Sequence, residues 1–99
     1  MITHNTDGTV MNEKFIAAPP GLTITEQLQA KAMTIDEFAH AMELTARETN
    51  DLLTGVMEIT PSIAGRLESV LSTPAPFWVN LDKLYRDKLR LIEESEGKE

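Results

Sequence analysis

The sequence predicts an all-α domain of five helices, the last of them extended. Three observations carry this expectation. Threonine followed three residues later by glutamate recurs at even spacing, at Thr23 with Glu26, Thr34 with Glu37 and Thr45 with Glu48. Threonine followed directly by proline occurs twice further on, at Thr60-Pro61 and Thr73-Pro74. No stretch alternates apolar and polar residues, so no sheet is expected.

Composition sets the frame. The 99 residues fit one domain, and a hydrophobic fraction of 41% supplies enough apolar surface for one core without staples. Cysteine is absent, which excludes disulfide frameworks, thiolate zinc sites and cysteine nucleophiles. No apolar run reaches the ~18 residues that a membrane span needs. Residues 1–18 lack the charged-then-apolar pattern of a signal peptide, so the chain is expected to be cytoplasmic.

Residues 1–18 show no periodicity and read as a flexible N-terminal arm, with Met1 and Met11 both available as starts. Pro19, Pro20 and Gly21 form a stiff hinge into the ordered region, expected over residues 19–94. Each Thr-x-x-Glu is a capping box. The hydroxyl accepts an orphan amide of the first turn, and the carboxylate accepts the cap's own amide. The first helix is placed near Ile24 to Lys31, with Ile24, Leu28 and Ala32 inward. The second runs near Ile35 to Met42, its stripe being Ile35, Phe38, Ala39 and Met42. The third runs near Ala46 to Thr54, docked by Leu52 and Leu53 and stopped by Gly55. A fourth starts at Thr60 with Pro61 at the first helical position and faces Ile63, Ala64, Leu67, Val70 and Leu71 inward. The fifth is placed near Pro74 to Glu94. Its apolar face is Phe77, Trp78, Leu81, Leu84, Tyr85, Ile92 and either Leu89 or Leu91. An acidic tail over residues 95–99 closes the chain.

Helices two and three, joined by a tight turn, have the arrangement that places one helix in a DNA major groove. Ala39 is small where helix three must approach, and Leu44 fills the turn. From Pro19 to about Leu91 the chain resembles the HigA-type antitoxin branch of the phage-repressor-like (lambda-repressor-like, XRE) helix-turn-helix family. The residues that carry the resemblance are Pro20-Gly21, Thr34-Ile35-x-Glu37-Phe38-Ala39 and Leu52-Leu53-Thr54-Gly55. They continue through Ile59-Thr60-Pro61, Ala64, Arg66-Leu67, Val70-Leu71, Phe77-Trp78-Val79-Asn80-Leu81 and Tyr85-Arg86. The resemblance implies a dimeric, DNA-binding antitoxin that represses its own promoter and pairs with a toxin from the same operon. Thr45, Ala46, Arg47, Asn50 and Asp51 would then face the groove. Arg47 suits guanine, Asn50 adenine and Asp51 a cytosine amino group.

Three departures matter. Glu43 stands where the family has a turn glycine, and a positive φ there would cost roughly 1 kcal/mol. Thr49 replaces a buried branched residue. Val56-Met57 replaces a basic pair that grips phosphates. From Leu22 to Thr60 the cations are Lys31 and Arg47, against seven carboxylates, so the segment that should meet DNA carries −5. The whole chain carries −7. Few counterions would be released on binding, which weakens it.

A second reading follows: a protein-interaction module on the same fold with weak or lost DNA binding. Its contacts would be Val56, Met57 and Arg86. Val56, Met57 and Ile59 are either buried against helix four or a contact surface. Lys83, Arg86, Lys88 and Arg90 are either a solvated face or a partner contact. Phe77, Trp78 and Tyr85 are either core or an exposed patch. No cofactor or metal is expected: His4 and His40 lie apart without ligand spacing. No nucleophile has a histidine base beside it and no glycine-rich phosphate loop is present, so no enzyme is expected.

Overall fold

A computed structural model describes residues 2–97. Met1, one of the two candidate starts, and residues 98–99 of the expected tail lie outside the described residues. The five expected helices are present: α1 (Gly21–Ala30), α2 (Ile35–Met42), α3 (Ala46–Thr54), α4 (Pro61–Leu71) and α5 (Ala75–Gly97). The expected absence of sheet is corrected. Three two-residue strands, β1 (Thr3–His4), β2 (Val10–Met11) and β3 (Ile16–Ala17), precede the helices as an antiparallel meander. The segment expected as a flexible arm is therefore folded, with His4 opposite Val10 and Val10 opposite Ala17.

Turn chemistry builds this meander. The Gly8 amide donates to the Asn5 carbonyl at 3.2 Å and the Asn5 amide to the Thr9 carbonyl at 2.9 Å. Gly8 takes φ +92°, which glycine adopts without steric cost. The Asp7 carboxylate accepts the Thr9 amide at 2.9 Å. At the second turn, Asn12 Oδ1 accepts the amides of Lys14 and Phe15 at 2.9 and 2.8 Å. Strands this short show no alternation, so only the turns could have announced them.

The start of α1 is also corrected. It begins at Gly21, two residues before Thr23, and its N-cap, Pro20, makes no side-chain cap hydrogen bond. Pro20 already holds a helical φ of −56°, and the Pro19 carbonyl accepts the Leu22 amide at 3.2 Å, so the first turn closes on backbone without a capping box. Thr23 and Glu26 therefore lie inside the helix. Ala32 does not face inward either: it is exposed and takes φ +54° just past the helix end. Thr34 and Thr45 form the expected boxes, with all four bonds at 2.9–3.0 Å. Thr60 accepts the Ile63 amide at 3.3 Å, with Pro61 at the start of α4. At α5 the expected Thr73 cap is replaced by Glu68, whose Oε1 accepts the Ala75 amide at 2.7 Å.

Two apolar clusters result. The main core joins Ile24, Leu28, Phe38, Met42, Leu52, Ile59, Ala64, Leu67, Leu71 and Trp78. The second joins Ala17, Tyr85 and Ile92, with Ile2, Val10, Phe15 and Leu89 against them. Helix α5, roughly 35 Å long at 1.5 Å per residue, is common to both. Of the alternatives at its end, Leu89 packs and Leu91 is exposed.

Candidate nucleic-acid interface

Helix α3 is held by its buried side. Thr49 and Leu52 are almost fully buried, and the Thr49 hydroxyl donates to the Thr45 carbonyl at 2.8 Å. This answers the Thr49 departure: the hydroxyl is satisfied within the helix, so its burial carries no unpaired polar group. The opposite side presents Thr45, Ala46, Arg47 and Asn50, all exposed, with Asp51 half-buried at the edge. Spacing of three and four residues brings Ala46, Arg47, Asn50 and Asp51 onto one face. Arg47 makes no ion pair among the described residues.

The turn before α3 takes the conformation that the sequence makes costly. Glu43 adopts φ +58°, ψ +41°, the left-handed region. Its amide donates to the His40 carbonyl at 3.1 Å, and the Leu44 amide to the Ala39 carbonyl at 2.9 Å. Arg66 braces the same corner from α4, donating from Nη1 to the Met42 carbonyl at 3.0 Å. Sequence reasoning did not single out Arg66 for this role. Its cation is thereby spent on the helix-turn-helix itself.

The N-terminus of α3 is already neutralised. The hydrogen bonds from the Thr45 amide and hydroxyl hold the Glu48 carboxyl below its ordinary value, and Arg66 adds a smaller electrostatic pull. Glu37 is lowered in the same way by Thr34 at the start of α2. A carboxylate at a helix N-terminus occupies the positive end of the dipole that would otherwise draw a phosphate.

The loop after α3 divides three ways. Val56 is 72% exposed, Met57 is half-buried against the main core, and Ile59 is buried. Arg86 reaches this loop from α5. It donates from Nη2 to the Met57 carbonyl at 3.1 Å, and the same nitrogen lies 3.4 Å from Asp82 Oδ1. Asp82 itself is buried and accepts the Ile59 amide at 3.2 Å through Oδ2. Of the three candidate partner residues, Met57 and Arg86 thus meet each other, and Val56 alone points into solvent. Asp82 was missed as an anchor. Its signal was the Asp82-x-x-x-Arg86 spacing of a helical ion pair. Trp78 and Tyr85 are core, whereas Phe77 is 44% exposed.

Comparison with known proteins places this geometry. No protein-family profile matches the chain. It is 35% identical over 66 residues to the HTH-type transcriptional regulator YddM of Escherichia coli (strain K12), covering 67% of this chain and 70% of that one. Among solved structures it superposes on an addiction module antidote protein of a HigA family from Coxiella burnetii. The TM-score is 0.72 at 26% identity, over 82% of this chain and 89% of that one. It also superposes on antitoxin GraA, with a TM-score of 0.66 at 26% identity, over 82% and 86% of the two chains. These relatives are regulators and antitoxins, not enzymes. The helix-turn-helix geometry, the matched sequence and the superposed folds together show that this chain belongs to the HigA-like helix-turn-helix family of transcriptional regulators.

Proposed function

We propose that this protein is a DNA-binding regulator of the HigA antitoxin type, which represses its own toxin–antitoxin-like operon from the cytoplasm as a homodimer and binds a cognate toxin. One observation carries the reading. Helix α3 offers Ala46, Arg47 and Asn50 on an exposed face, rooted by Thr49 and Leu52 and aimed by the Glu43-Leu44 turn. Thr45 and Asp51 flank this reader. The membrane plays no part in the proposal, and no helix among the described residues is long and apolar enough to cross one.

The test is fluorescence anisotropy on the gene's own upstream DNA against random duplex, at ~50 and ~200 mM salt. A specific, salt-sensitive complex is the expected result. Arg47→Ala should weaken specific binding by about 1–3 kcal/mol if it makes a bidentate base contact. Unchanged binding by that variant sinks α3 as the reader.

A second reading is favoured by the exposed Val56, the −5 charge from Leu22 to Thr60, and Arg66 being engaged with Met42. On it the same fold serves as a protein-interaction module that meets its toxin through Val56 and the neighbouring Met57–Arg86 contact. Equal, weak binding to both duplexes, with a toxin still captured by the protein, is its expected outcome.

A further inference from the structure

Helix α3 is seated at its far end by two glycines of the N-terminal segment. A Cβ on Gly8 would collide with the Thr54 carbonyl oxygen, and a Cβ on Gly21 with that of Leu53. Each glycine therefore turns an α-hydrogen toward one of the two last carbonyls of α3, in the manner of a Cα–H···O contact. The last carbonyls of a helix have no partner within it, so these seats fall where the helix needs them. The Gly8 seat also lies beside a proposed reading position. Thr54 is one turn beyond Asn50, and its hydroxyl donates to the Asn50 carbonyl at 2.8 Å.

These contacts are backbone on backbone. A side chain can change rotamer to absorb a displacement; a peptide carbonyl cannot. A shift of the β1–β2 turn is thus passed to the last turn of α3. The turn is itself held from α5, through the Tyr85 hydroxyl on the Gly8 carbonyl. Pro19 flanks Gly8 and, with Pro20, stiffens the link to Gly21. Among the described residues the main core contains none from the meander, so the turn can lift while the helices stay packed.

We infer that Gly8 is a positioning residue for sequence-specific DNA binding: seated on the Thr54 carbonyl, it sets the tilt of α3 and the place of Asn50 against the bases. This rests on the regulator reading proposed above and gives the N-terminal meander a part in it. Base contacts are selective only when their donors are held to about half an ångström. Phosphate contacts, which carry binding to any duplex, tolerate a small tilt. Loss of the seat therefore costs selectivity first.

The test uses the full chain with Gly8→Ala. The substitution strains a φ of +92° and drives a Cβ into the Thr54 carbonyl. Affinity is measured for the gene's own upstream DNA and for random duplex, well below Tm. Mere destabilisation removes folded protein and weakens both by the same factor, leaving their ratio unchanged. A displaced α3 lowers the ratio, by about tenfold for the partial loss of one base contact, with helical circular dichroism retained. Tyr85→Phe loosens the same turn without adding an atom at α3. It is expected to lower the ratio by a smaller factor, and it carries the test if Gly8→Ala does not fold. An unchanged ratio in the folded variants, with the wild type preferring its own DNA, overturns the role of Gly8 alone. No such preference in the wild type overturns the regulator reading, and this role falls with it.

Discussion

The Tyr85 hydroxyl donates a 2.8 Å hydrogen bond to the Gly8 carbonyl, joining the turn of the N-terminal meander to the middle of the last helix. The same ring lies against Gly55, where a Cβ would come within 2.7 Å of it. Gly8 in turn touches the backbone of Thr54, the last residue of α3. One phenol therefore fixes the meander, α5 and the end of α3.

Tyr85→Phe removes that bond and leaves a part-buried carbonyl unpartnered. The expected loss is about 1–2 kcal/mol in urea unfolding. A pH dependence follows as well. Burial raises the Tyr85 pKa above its ordinary 10.0; Asp82 and Asp7 add to the rise and Arg86 opposes it. The unfolded chain thus releases this proton more readily than the folded one. Stability from this group is full below pH 10 and is lost as pH rises through the folded value. In Tyr85→Phe the alkaline fall should be smaller than in the wild type, and equal falls would refute the assignment.

Glu43→Gly is expected to stabilise the protein by about 0.5–1 kcal/mol, because a left-handed residue loses its Cβ strain. Glu43 is exposed, so little packing is lost. The urea midpoint should rise with an unchanged slope. A fall would mean that the glutamate side chain has a stabilising contact of its own.

Asp82→Ala leaves the Ile59 amide without its acceptor and Arg86 without its counter-charge. The expected cost is ~2–4 kcal/mol, toward the lower end because Arg86 is partly exposed. That corresponds to a drop in Tm of roughly 10–20 °C for a domain of this size. Since the bond holds the α3–α4 loop, backbone amide exchange at Ile59 should accelerate more than at Leu28. Uniform acceleration would show that the site has no local effect.

Acid should loosen the helix-turn-helix first. Glu37 and Glu48 are held below 4.5 by the amides and hydroxyls of Thr34 and Thr45. Their contribution is present above the unfolded value and disappears as pH falls through the folded one. The amides of Thr34 and Thr45, which these carboxylates accept, should therefore lose protection against exchange in acid before the α4–α5 core opens. Simultaneous opening of both regions would contradict this.

Much of this was legible because caps are local. Thr34-x-x-Glu37, Thr45-x-x-Glu48 and Thr60-Pro61 each specify a helix start within four residues, and the positive φ at Glu43 follows from the turn that joins two such helices. Thr23-x-x-Glu26 has the same spelling and failed, because the prolines before it had already begun the helix. Thr73 was displaced by Glu68, which lies in the previous helix and is brought near only by the fold. The meander stayed hidden for a related reason. Its strands are two residues long, and the side chains that seat them, Val10 and Ala17, pack with Tyr85, Leu89 and Ile92, far along the chain. Its one local sign was Asp7-Gly8, a hairpin turn pair. On α3, exposure of Arg47 and Asn50 followed from periodicity. The engagement of Arg86 and Arg66 with backbone carbonyls depended on tertiary contacts that no spacing encodes.

The sharing of α5 between two clusters also orders events during synthesis. Val10 and Ala17 are made early, yet the residues that bury them, Tyr85 and Ile92, are made about seventy positions later. At ~5–20 residues per second, that interval lasts roughly 4–15 seconds. Throughout it the meander has no α5 surface to dock on, while α1 to α4 come to pair with one another. The nascent chain thus displays an unseated meander to any protease or chaperone nearby until α5 has emerged to cover it.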